Sequence, residues 1–154
     1  MFIHLLCAID AAEPKPNAGF ILEDADLVAE YRHFFTYCFC SPLQRAQQTL
    51  AAAKCLYIRE PVQIMPALRE VRGGAISDHF EHEELGRSEF EIEVKARVST
   101  VMNTLHELKK TEPADKPLFV LLVSHPDFLW HLTGQGGKVG HLLAPGEAML
   151  WIEL

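Results

Sequence analysis

The sequence holds 154 residues, a length that suits one domain, and 49% of them are hydrophobic, which supplies a core and excludes a disordered chain. A formal net charge of −7 argues against a broad nucleic-acid-binding surface. No apolar run is long enough to span a bilayer, and MFIHLLCAID has neither the basic start nor the cleavage site of a signal peptide, so a cytoplasmic protein without membrane contact is expected.

Phe2 to Ile9 is apolar except for His4 and reads as a first strand buried on both faces, with His4 packed and hydrogen-bonded inside it. A Pro- and Gly-containing loop follows from Asp10. Ile21 to His33 carries an apolar stripe at helical spacing. Phe34 to Cys40 reads as a second strand, with Cys38 and Cys40 on one face. Ser41 is placed to cap the next helix and Pro42 to start it, and that helix runs to about Cys55. Arg45 falls in its first turn, where a guanidinium is either solvated or set to hold an anion beside the helix N-terminus. The four cysteines, Cys7, Cys38, Cys40 and Cys55, form no CxxC pair and read as small buried residues in a reducing compartment.

Pro61 to Met65 is a short strand, followed by Leu68-Arg69-Glu70 and Arg72-Gly73-Gly74. Val71 to Arg87 is polar and aperiodic, a long loop of the kind that often serves as a lid. His79 and His82 among Glu81, Glu83 and Glu84 read as an acidic solvated surface, so no metal and no cofactor is expected. Ser88 to Glu91 has capping-box spacing and opens a helix to about Lys110, with Phe90, Val94, Val98, Val101, Leu105 and Leu108 as its buried stripe. After a linker at Pro113 to Pro117, FVLLVSHPDFLW reads as buried strand, tight turn and helix, with Ser124 as cap and Pro126 in the first turn. His125 then stands at the carboxyl end of a strand, where ligands bind in open α/β sheets, and its ring can donate to an anion. The loop GQGGKVG matches no phosphate-loop spacing, and Ala148 to Leu154 is a last strand. Strands alternating with helices predict one three-layer α/β/α sandwich over residues 1–154 with a mainly parallel central sheet.

Three segments together resemble the histidine phosphatase superfamily, the phosphoglycerate mutase-like fold. SPLQRAQQT (41–49) is similar to the motif whose arginine binds phosphate, which puts Arg45 in that role. Leu68-Arg69-Glu70 with Gly73-Gly74 resembles the segment whose glutamate is the usual proton donor, so Glu70 is the expected acid or base. Leu122-Val123-Ser124-His125 resembles the motif of the second phosphate-pocket histidine. The first motif departs. Where the family has Arg-His-Gly and an acidic residue after the first strand, this chain reads Cys7-Ala8-Ile9-Asp10, so Ala8 stands in place of the nucleophilic histidine. A register that used His4 instead would push Leu5, Leu6, Ala8 and Ile9 out of the strand, and each such aliphatic side chain contributes about 1.5–3 kcal/mol when buried.

Alanine cannot attack phosphorus, and a buried Cys7 without a basic neighbour stays protonated. The leading expectation is therefore a degenerate member, a pseudophosphatase that binds phosphate or a phosphorylated small molecule or peptide through Arg45 and His125, in a pocket completed by Cys7, Ala8 and Asp10. The alternatives are a working phosphomonoesterase with a non-histidine mechanism, using Glu70 or Asp10 as acid or base, and a purely structural or interaction subunit. Oligomeric state is open.

Overall fold

The computed structural model describes residues 1–9, 34–53, 56–74 and 88–154. Asp10, Cys55, the expected helix over 21–33, and residues 75–87 with His79 and His82 lie outside the described residues. The five-stranded sheet runs β5-β3-β6-β1-β7, with β1 (Phe2–Cys7), β3 (Tyr37–Cys40), β5 (Gln63–Ile64) and β6 (Phe119–Ser124) parallel. Only β7 (Ala148–Glu153) is antiparallel, against β1. The expected single strand over 34–40 is two strands. Phe34–Phe35 (β2) pairs with Tyr57–Ile58 (β4) in a separate two-stranded sheet, and the Thr36 N–H between β2 and β3 donates to Phe119 O at 2.8 Å.

The alternation of side chains along β1 assigns the layers. Ile3, Leu5 and Cys7 join the core beneath α2 (Glu91–Thr111) and α3 (Pro126–Thr133), with Val98, Leu105 and Phe128. Leu6 and Ala8 join a second core on the opposite face, with Phe35, Cys38, Cys40 and Ala46 of α1 (Gln44–Ala52). Helices on both faces make the expected three-layer α/β/α sandwich around a mainly parallel sheet. The central strands β1 and β6 are buried almost throughout, which is why both read as continuous apolar runs. His4 is buried in β1 with its ring edge-on to Phe35 at 5.3 Å, and burial pulls it down to about 4 against a backbone hydrogen bond at Phe2. Cys7, Cys38 and Cys40 are free and buried.

Three expected caps are reassigned. The Ser41 and Ser124 side chains take tertiary partners, His125 and Leu68, because buried hydroxyls bond whatever polar group faces them. Ser41 does not cap α1, whose N-cap is Leu43; its Oγ accepts the Leu43 N–H at 3.2 Å, and Pro42 stands before the helix. Ser124 does not cap α3 and donates to Leu68 O at 2.6 Å. Pro126 does open α3, with His125 as N-cap residue. At α2 the cap is Phe90, and the Glu93 carboxylate accepts its N–H at 2.7 Å, in place of a Ser88–Glu91 box. Phe90 is accordingly 65% exposed and outside the stripe, which Val94, Val98, Val101 and Leu105 form. No helix among the described residues is long and apolar enough to cross a membrane.

Candidate functional site

Three parallel strands end side by side and bring the motif residues to one edge of the sheet. The Ala8 N–H donates to Ser124 O at 2.7 Å and the Ser41 N–H to Val123 O at 2.9 Å, so β6 fixes the ends of both neighbours. The Ile9 N–H donates to Thr49 Oγ1 at 2.9 Å, and that hydroxyl donates to Arg45 O at 2.7 Å. One threonine of α1 thus ties the chain after Ala8 to the helix that carries Arg45. Gly146 N–H and Cys7 O, 2.9 Å apart, close the other side. Cys7 and Ala8 are buried, as are Arg45, Ser41 and His125.

His125 is fully buried, and its Nε2 lies 2.7 Å from Ser41 Oγ. Its Nδ1 is buried without a hydrogen-bond partner. Burial, and then the charges of Arg45 and Arg97, hold the ring well below the usual histidine range, so it is neutral. Arg45 and His125 therefore form a corner with one fixed positive charge and one neutral ring.

Glu70 sits against the start of α3, the helix that follows His125, and is also fully buried. Its Oε1 accepts the N–H groups of Val71 at 2.8 Å and Phe128 at 2.9 Å, and its Oε2 accepts the Asp127 N–H at 3.3 Å. The carboxyl group that the resemblance makes a proton donor thus also covers the N-terminus of α3, a position that favours negative charge. Burial nevertheless pushes it up to about 7, with the nearby Asp127 carboxylate adding to the rise and the three N–H groups opposing it.

A buried ion cage holds the segment that carries Glu70. The Glu89 carboxylate accepts from Arg69 at 2.6 Å, from Arg97 at 2.9 and 3.1 Å, and from the Arg72 N–H at 3.0 Å. Arg97 also donates to Ala67 O at 2.8 Å and Arg69 O at 2.7 Å, and lies 4.7 Å over the Phe128 ring. Beyond the cage the chain turns at Gly73, at φ 74°. A Cβ at Gly74 would stand 2.4 Å from the Asp127 carboxylate carbon, so a larger residue there would have to displace that carboxylate.

The edge brings together Cys7, Ala8, Arg45, Glu70 and His125, while Asp10 lies outside the described residues. Ser41, Glu89 and Arg97 are additional polar residues of the site. Arg97 had a signal in the sequence, since it lies three residues after Val94 and four before Val101, on the buried stripe of α2.

A sequence profile of the histidine phosphatase superfamily (branch 1) matches residues 23–140. The match begins after β1, so Cys7-Ala8-Ile9-Asp10 falls outside it. No curated protein matches the chain. Among solved structures, the protein histidine phosphatase SixA, complexed with tungstate, is similar with a TM-score of 0.63 at 16% identity, over 97% of this chain and 94% of that one. An alpha-ribazole phosphatase from Shigella flexneri is similar at 0.57 and 19%, over 97% and 94%. An open-reading-frame product of Mycobacterium tuberculosis is similar at 0.62 and 16%, over 96% and 88%. At such identities the likeness concerns the fold.

Proposed function

The chain belongs to the histidine phosphatase superfamily, and from that premise we propose that it is a member in which the covalent step is lost and the anion corner is kept. It binds a phosphate-bearing small molecule or peptide without turning it over. The observation that carries this reading is Ala8. At the end of β1 it offers only a methyl group, and its N–H is already bound to Ser124 O at 2.7 Å. No phosphoenzyme can form there. Arg45 supports the binding half of the reading: it is 5% exposed, held beside His125 by α1, and a buried guanidinium is well suited to a phosphate oxygen. SixA was solved with tungstate, an oxyanion of similar shape and charge, which makes tungstate a suitable second probe.

The test is turnover and binding measured together. The wild type should release no product from a generic aryl phosphate between pH 5 and 8, yet bind inorganic phosphate in calorimetry. Arg45→Ala should weaken that binding at least tenfold, since a charge-assisted contact contributes about 1.5–3 kcal/mol. Turnover that Arg45→Ala abolishes would replace this reading with a phosphomonoesterase of non-histidine mechanism. A folded protein that binds neither phosphate nor tungstate at millimolar concentration would point to a structural role.

A further inference from the structure

The hydrogen bond between Ser41 and His125 joins residues 84 positions apart and decides where the imidazole proton sits. Ser41 Oγ accepts the Leu43 N–H at 3.2 Å and lies 2.7 Å from His125 Nε2. Ser41 is fully buried, so its hydroxyl proton needs an acceptor within the protein. Were Nε2 protonated, Ser41 Oγ would receive two donors and its own proton would have none of these groups to go to. With Nε2 unprotonated, the hydroxyl donates to it and every polar atom of Ser41 is satisfied. The proton of a neutral ring then resides on Nδ1. That is the nitrogen left buried without a hydrogen-bond partner, on a residue that is itself fully buried. An N–H so placed calls for an acceptor, and the charge that bears on the ring most strongly is that of Arg45, with Arg97 behind it.

We propose that Ser41 is a positioning residue: it fixes the His125 proton on Nδ1, so that this ring donates to an oxyanion oxygen held by Arg45. The inference rests on the reading of the pocket as an oxyanion site and adds the residue that polarises it. An uncharged imidazole can then serve as a standing donor, with no need to take up a proton in surroundings that disfavour its charge. Losing the hydroxyl frees the ring to place its proton on Nε2, and an Nδ1 lone pair would then face the anion.

Ring-nitrogen correlations in ¹H–¹⁵N NMR, with the His125 signals assigned by their loss in His125→Asn, report the tautomer directly. Sulfate, a dianion throughout the neutral range, reports binding at pH 7.5. The wild type should show His125 protonated on Nδ1 and should bind sulfate. Ser41→Ala should move the proton to Nε2 and weaken sulfate at least tenfold, a loss in keeping with a hydrogen bond to a charged group. Ser41→Thr, which keeps the hydroxyl, should restore both. A wild-type ring protonated on Nε2 overturns the proposal without recourse to any variant, including one that fails to fold. So does a Ser41→Ala protein that keeps the wild-type tautomer. If the tautomer moves as expected but no wild-type sulfate binding is seen, the role of Ser41 stands and the oxyanion reading of the pocket falls.

Discussion

Glu89→Ala should be the most damaging single substitution in this site. The carboxylate is 1% exposed and is shared by Arg69, Arg97 and the Arg72 N–H. Removing one partner of a buried ion pair leaves the other charge uncompensated and typically costs about 3–5 kcal/mol. For a domain of this size that is a fall in Tm of about 6–20 °C. Thermal and urea unfolding would check it, and a loss below about 1 kcal/mol would show that water screens the cage. The cage is also sensitive to acid. Burial raises the Glu89 carboxyl, but the Arg72 N–H, Arg69 and Arg97 outweigh it, and the net position is below the ordinary carboxylate value. A depressed folded value means that this contribution is present above the unfolded pKa and is lost as the pH falls through the folded one. Arg97 bears the cost of the arrangement: burial, and then the charge of Arg69, bring it down to about 10 against the pull of Glu89.

Glu70→Gln should have a pH-dependent effect that leaves wild type and variant alike in acid and separates them as the pH rises. Burial holds the folded carboxyl at about 7, above an ordinary value of 4.5. A raised folded value means that the stabilising contribution is full below pH 4.5 and is lost as the pH rises through 7. That difference corresponds to roughly 3 kcal/mol. Glutamine is close in shape to the protonated acid and never ionises. At pH 5 the two proteins should unfold at similar urea concentrations, and at pH 8 the variant should be the more stable by up to about 3 kcal/mol. A variant less stable at pH 8 would mean that the Val71 N–H and the two N–H groups at the start of α3 hold Glu70 ionised in the fold. His4 and His125 act in the opposite direction. Their folded values are lowered, so stability is lost as the pH falls from 6.5, down to about 4 for His4.

The order of strands and helices was legible because burial leaves a direct trace. The runs at 2–7 and 119–124 are apolar on both faces, and parallel central strands must be. The motif residues were legible as positions, since strand ends and helix starts can be counted from Pro126 and from the SPLQRAQQT segment. Their partners were not. Ser41 and Ser124 have the spacing of helix caps, yet their hydroxyls meet His125 and Leu68, 84 and 56 residues away. No local rule contains that information. Phe34–Cys40 looks like one strand because β propensity does not register that β2 and β3 join different sheets. Glu70 stands in a recognisable motif, while two of the three N–H groups that its carboxylate accepts belong to a helix 57 residues on and depend on the tertiary fold.

The register of β1 with β6 carries a kinetic consequence. Phe2 pairs with Phe119 and Cys7 with Ser124, so the two central strands meet across a loop of more than a hundred residues. The other neighbour of β1, β7, comes later still in the chain. Closing so long a loop must precede the gain from the contacts it creates, and folds dominated by such pairings form slowly. The Ala8–Ser124 contact, which ties the end of β1 to the site, cannot exist until that closure is complete, whereas Arg45 and His125 are joined through the direct pairing of β3 with β6. The Ala8–Ser124 side of the site therefore forms only with that long-range pairing, and substitutions that slow the pairing of β1 with β6 should delay its appearance even where they leave the finished pocket unchanged.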